Sequence, residues 1–184
     1  MSVRMSAQAA LLTATTALAL AVAPTAAHAA AARSLNCSGA ISQNFTPGLS
    51  GDSQQNIGVK SSGSLNCDDG SGDVPLLQAD YAGVGSFKGD CVNGSNGSIT
   101  YTVTFSDGTK DTVELDTGGL LDPDGQAQGG AEVNLTGEVT AGPDEGDIAS
   151  GYIAASATNP SACTTSAGVL ADSGDLTLEI NPLL

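Results

Sequence analysis

The chain has 184 residues, with five basic and twenty acidic side chains, a net charge of −15, three tyrosines, three phenylalanines and no tryptophan. So acidic a surface repels phosphate backbones and anionic headgroups, which excludes nucleic acid and membrane lipid as partners and leaves cations or basic surfaces. The plainer reading of the acidity is that it keeps an exported protein soluble.

Met1 to Arg4 make a short positive start, and Ala9 to Val22 an apolar stretch that Pro24 ends. Ala27-His28-Ala29 then sets small residues at the positions a signal peptidase reads, so residues 1–29 are expected to be a signal peptide and residues 30–184 a single domain. The apolar stretch is short for a bilayer span and no second one follows, so the product is expected to be secreted and free of the membrane. Cleavage would remove the single histidine and both methionines. Arg33, Lys60, Lys88 and Lys110 would then face all twenty acids.

Beyond residue 30 the apolar residues alternate with polar ones in short runs, the period of half-buried strands. Leu35 to Ile41, Ile57 to Ser64 and Leu77 to Lys88 are strand candidates interrupted by Gly or Ser. In the segment from Ser98 to Phe105, Ile99, Tyr101, Val103 and Phe105 share one face and Thr100, Thr102 and Thr104 the other. Asp107-Gly108 predicts a two-residue type I′ hairpin turn, after which Thr109 to Asp116 returns antiparallel. Asn93-Gly94 and Asn96-Gly97 read as turns. Val133, Leu135 and Val139 mark a further strand, followed by Ile148 to Thr158 and by Leu176, Leu178 and Ile180. Gly142-Pro143-Asp144-Glu145-Gly146-Asp147 reads as a turn between strands. Eight short strands at intervals of roughly ten to twenty residues predict an all-β, immunoglobulin-like antiparallel sandwich.

A core of Val, Ile, Leu and Ala with few aromatics is thin, and cysteines are expected to compensate. Four cysteines allow three pairings. If the first two strands run antiparallel, Cys37 lies beside Cys67, which leaves Cys91 for Cys163. The two closures would contribute about 3.5 and about 4.5 kcal/mol on the chain-entropy model. No C-x-x-C pair points to redox work instead.

The order Cys37-Ser38-Gly39, Phe45-Thr46-Pro47-Gly48-Leu49, Cys67 and Gly89-Asp90-Cys91 resembles a group of small, uncharacterised actinobacterial secreted proteins. Ile99 to Gly108, Gly137 to Gly142, and Ala162-Cys163 ahead of Gly174 to Leu178 extend the likeness over nearly all of the mature chain. The resemblance implies an immunoglobulin-like sandwich behind an alanine-rich signal peptide, and it brings no catalytic residue or ligand. Phe105 stands where this group more often carries Trp.

Without histidine the mature chain lacks the usual general base of hydrolases and the commonest zinc ligand. Paired carboxylates could still serve a glycoside hydrolase, yet the aromatic platforms that sugars stack on are scarce. A non-enzymatic domain is therefore expected, binding or adhering to an extracellular protein or cell-envelope ligand. The alternative is a module stabilised by Ca²⁺, because Asp68, Asp69 and Asp73, and Asp122 with Asp124, place hard oxygen ligands in Gly-containing loops. The second of these lacks the third Asp and the twelfth-position Glu of a full calcium loop, and a solvated acidic loop is the default for both. Otherwise no cofactor is expected.

Overall fold

The computed structural model describes residues 34–51, 54–69, 77–91, 93–121 and 131–183. Residues 1–33, which carry the expected signal peptide, lie outside them. Eight strands follow in order: β1 (Leu35–Leu49), β2 (Gln55–Asp68), β3 (Leu77–Gly89), β4 (Gly94–Phe105), β5 (Lys110–Leu121), β6 (Ala131–Ala141), β7 (Ile148–Ala157) and β8 (Val169–Asn181). Each pairs antiparallel with its neighbours in the chain, and β8 returns to β1 from Leu35↔Ile180 to Leu49↔Val169, so the sheet closes into an up-and-down barrel.

The all-β antiparallel character follows the alternation, but the expected two-layer sandwich does not form. The reason lies in strand length. Runs that read as separate short strands are joined through small residues into strands of 10 to 15 residues, and one coiled sheet of that size can close on itself and remove both edges. Gly174 shows how the glycines serve curvature. A Cβ there would collide with the Ala154 carbonyl of β7, so only glycine lets the two backbones approach on the inner face.

Side chains alternate across the wall. On β8, Leu176, Leu178 and Ile180 are buried while Ser173, Asp175, Thr177 and Glu179 are exposed; on β1, Ile41 and Phe45 point in, and Ser38, Ser42 and Asn44 out. The buried residues form one cluster that fills the barrel, with Leu65, Leu115, Leu135, Ile153 and Ile180 no more than 1 % exposed. Each such aliphatic side chain contributes roughly 1.5–3 kcal/mol through burial. An eight-stranded barrel is just wide enough to be filled in this way. Apolar inside and polar outside is the reverse of a membrane-spanning barrel, whose lipid-facing wall is apolar. No helix among the described residues is long and apolar enough to cross a membrane.

Two turns depart from their expected form. The β4–β5 hairpin is a three-residue turn over Ser106–Gly108, closed by Phe105 N–H donating to the Thr109 carbonyl (3.0 Å), with Gly108 at φ +88°. Asp107 Oδ1 accepts from both the Thr109 amide (2.8 Å) and its hydroxyl (2.6 Å), and this extra clasp favours the wider loop. Asn96-Gly97 is no turn at all. It lies within β4 where the pairing with β3 shifts register between Ser86 and Lys88, and Phe87 packs against the Gly97 backbone. Residues 142–147 do form the β6–β7 turn, ordered by Asp111 Oδ1, which accepts from the Asp144 amide (3.4 Å).

Two disulfides brace the barrel, Cys37–Cys67 and Cys91–Cys163. The first joins directly opposed residues of β1 and β2. The second links the β3–β4 connection to a 3-10 turn, Pro160–Thr164, in the β7–β8 connection. In a ring of eight strands those connections sit half a turn apart, so this bond crosses one mouth of the barrel. Gly51 N–H donates to the Cys163 carbonyl (2.9 Å) and Cys91 N–H to the Ser50 carbonyl (3.2 Å), drawing the β1–β2 connection into the same clasp.

Candidate functional site

Besides Asp111 and Asp144 at the β6–β7 turn, a further set of polar side chains is buried together inside this apolar barrel. Register runs from Ala157 on β7 through Asp172 (β8), Gln43 (β1), Ser61 (β2) and Gly83 (β3) to Tyr101 (β4). Four of these carry polar side chains, all pointing inward: Asp172 is 3 % exposed, Ser61 4 %, Gln43 6 % and Tyr101 2 %. Their neighbours at the next inward positions, Ile41, Phe45, Val59, Ile99 and Val103, are hydrophobic.

Glycine is what brings the row together. A Cβ at Gly83 would lie 2.5 Å from Tyr101 Cε1, so the phenol ring lies across the bare backbone of β3 and its hydroxyl reaches toward β2 and β1. Tyr81 supports the ring edge-on, with centroids 5.7 Å apart, and donates its own hydroxyl to the Ala40 carbonyl (3.0 Å). Gly83→Val would drive the ring out of place, and a loss of about 1–3 kcal/mol in chemical denaturation is expected.

Gln43 Nε2–H donates to Ser61 Oγ (3.2 Å). Tyr101 is pushed up to about 12 by burial, with the Ser61 hydroxyl partly offsetting that rise and the Asp172 carboxyl adding to it. Burial lifts Asp172 to about 7, far above an ordinary carboxyl. Even so, Tyr101 Oη and Asp172 Oδ1 meet no partner at hydrogen-bonding geometry among the described residues. Buried polar atoms are nearly always satisfied, and an unsatisfied one costs about 1–3 kcal/mol. Tyr101→Phe, which deletes one of these groups and keeps the ring, is expected to leave the denaturation midpoint unchanged or slightly raised, within about 1 kcal/mol.

The calcium candidates do not converge on this row. Asp68 ends β2 as an exposed residue and Asp69 follows it, half-buried, while Asp73, Asp122 and Asp124 lie outside the described residues. Among the described residues no group of three His, Cys, Asp or Glu side chains could hold a metal ion. The carboxylates that β5 and β6 set opposite each other, Glu114 and Glu138, are exposed on the outer wall, where with Asp116 and Ile148 they line an open depression. Outside β2, β3 and β4 runs a shallow polar groove lined by Ser64, Asn66, Gln78, Asp80 and Thr104, across which Ser64 donates to Asp80 Oδ1 (2.7 Å).

Sequence reasoning passed over all three of Gln43, Ser61 and Asp172. The signal was parity: Gln43 sits two residues from both Ile41 and Phe45, Ser61 two from Val59, and Asp172 four from Leu176. With the first strand ended at Ile41 and the last begun at Leu176, Gln43 and Asp172 fell into loops, where polar residues are unremarked. Compared with known protein families, curated proteins and solved structures, the chain matches none.

Proposed function

We propose that this protein is an exported, non-enzymatic extracellular binding module whose binding centre is the buried row of Gln43, Ser61, Tyr101 and Asp172. One observation carries the reading: among the described residues Tyr101 Oη and Asp172 Oδ1 are buried without hydrogen-bond partners in a mostly apolar interior. Two groups that each cost stability when left alone are retained where a guest could satisfy both. Export agrees with two disulfides, which persist in oxidising compartments, with a wall that faces water, and with the leader pattern of residues 1–29. Likeness to small actinobacterial secreted proteins belongs to the same reading.

Binding is preferred to hydrolysis because the row holds a single carboxyl. A glycosidase needs two flanking a cleft, and the opposed acids Glu114 and Glu138 line an open depression on the outer wall, away from the row. Adhesion through the rim loops, to a protein or cell-envelope ligand, is compatible with a filled interior, but no observation of the row favours it.

The test is to secrete the full chain from a host that processes its leader, then to analyse the product by amino-terminal sequencing and native mass spectrometry. A mature chain beginning at Ala30, with a small-molecule mass excess that is lost on unfolding, is the expected result. Retention inside the cell with the leader uncut would remove the exported reading. A secreted, folded chain that carries no guest and takes none up from culture extract would remove the binding reading.

A further inference from the structure

We infer that Asn93 is a site of self-modification, converted in the folded protein to aspartate and isoaspartate by its own backbone, and that the fold protects Asn96 from the same reaction. The sequence offers the two on equal terms. Each asparagine is followed by Gly and then Ser, as Asn93-Gly94-Ser95 and Asn96-Gly97-Ser98, and a following glycine puts no Cβ in the way of the side-chain carbonyl carbon. Any difference in their reactivity is therefore set by structure.

The chemistry needs no partner but water. The Gly94 backbone nitrogen, on losing its proton, attacks Asn93 Cγ; the new N–C bond closes a succinimide ring, and the side-chain nitrogen takes up a proton and leaves as ammonia. Water then opens the ring. Opening at the side-chain carbonyl leaves aspartate, and opening at the backbone carbonyl leaves isoaspartate, in which the main chain runs through the former side chain and gains a carbon. No oxidation occurs, and a neutral amide becomes a negative charge.

The attack requires a backbone free to swing the following nitrogen onto Cγ, and strand pairing opposes that swing. Asn93 is exposed and ends the β3–β4 connection, just before the first residue of β4. It is held by the turn itself: the Asp90 amide donates to the Asn93 carbonyl (2.8 Å) and the Asn93 amide to Asp90 Oδ1 (2.7 Å). Among the described residues the ladder to β5 begins only at Gly97↔Thr117, beyond this turn.

Asn96-Gly97 lies within β4, and the nitrogen that would attack, that of Gly97, already donates to Thr117 Oγ1 (2.9 Å). Gly97 is also tightly enclosed. A Cβ there would lie 2.4 Å from Phe87 Cβ, 2.7 Å from the Ser86 carbonyl oxygen and 2.8 Å from the Thr117 hydroxyl. Reaction at Asn96 therefore has to part β4 from β5, whereas at Asn93 only an exposed turn opens, and such local openings are the least costly fluctuations of a fold. The product at Asn93 lengthens the chain inside the turn, so the Asp90–Asn93 backbone bond beside Cys91 is lost with it.

The experiment holds the full secreted chain, both disulfides intact, at pH 8.5 and 37 °C beside a reduced, guanidinium-unfolded sample. After reduction both asparagines fall in one tryptic peptide, Gly89 to Lys110, so fragment spectra read the two conversions side by side. In the unfolded sample they should proceed at equal rates. In the folded chain Asn93 should convert to aspartate and isoaspartate, and Asn96 should lag it by about tenfold or more. An acidic species should grow on anion exchange, persist in Asn96→Gln and be lost in Asn93→Gln, whose longer side chain closes the ring poorly. In the isolated acidic species the Asp90 amide should exchange its hydrogen faster than in the starting protein. Equal conversion of the two asparagines in the folded chain, or an intact Asn93 while the unfolded sample reacts, would overturn the inference.

Discussion

Replacing Cys91 and Cys163 together by serine is expected to lower the unfolding free energy by about 4.5 kcal/mol, and the melting temperature by roughly 10–15 °C. The disulfide spans 72 residues of chain, against 30 for Cys37–Cys67, so its removal restores more freedom to the unfolded state. Sequence separation is only part of the argument. Cys37 and Cys67 lie opposite each other in a ladder that already pairs Asn36 to Thr46 of β1 with Asp68 to Gly58 of β2, and the hairpin holds its register without the bond. Cys91 and Cys163 join connections that share no ladder among the described residues, and without their bond the clasp rests on hydrogen bonds such as those of the Gly51 and Cys91 amides. Hydrogen exchange should therefore accelerate over residues 158–168 in the Cys91/Cys163 double variant and little in the Cys37/Cys67 one. Urea denaturation measures the free energies. A smaller loss for Cys91/Cys163 than for Cys37/Cys67 would refute the view that this bond is the main brace.

The second large effect is a decline of stability with rising pH in the acid range, centred on Asp172. Its carboxyl lies near 3.8 in the unfolded chain and is raised to about 7 in the barrel. Between those values the folded protein holds a proton that the unfolded chain has released, so the stabilisation is complete below about pH 4 and is lost as pH climbs to about 7. Over the whole interval the change is on the order of 4 kcal/mol, and it opposes the ordinary expectation that a protein with twenty acids gains stability as it leaves acid pH. The diagnostic comparison is Asp172→Asn, which is neutral throughout. Relative to the native chain it should be nearly neutral at pH 4 and clearly stabilised at pH 8, by denaturation at each pH. Parallel curves for the two proteins would show that Asp172 does not hold its proton in the folded state.

How much of this was legible beforehand depends on the element. Ile99 to Phe105 gave up their strand at once, because four inward side chains alternate with threonines and nothing interrupts them. The opposition of Cys37 and Cys67 followed from a hairpin, a local arrangement. Closure was not local. Whether β8 completes a second layer or returns to β1 depends on the summed coil of eight strands, and the glycines that supply it, such as Gly174, read as interruptions when taken one at a time. The same misreading shortened the strands and hid Gln43 and Asp172, whose polarity looked like that of a loop.

By themselves the residues determined an antiparallel all-β chain with alternating faces and an acidic exterior, since a period of two is written directly into side-chain order. Only the tertiary structure decided that the sheet closes and that Asp172, Gln43, Ser61 and Tyr101 meet in one row. Residues separated by as many as 129 positions become neighbours only when register is fixed across every intervening strand, and register is a property of the closed ring rather than of any segment within it.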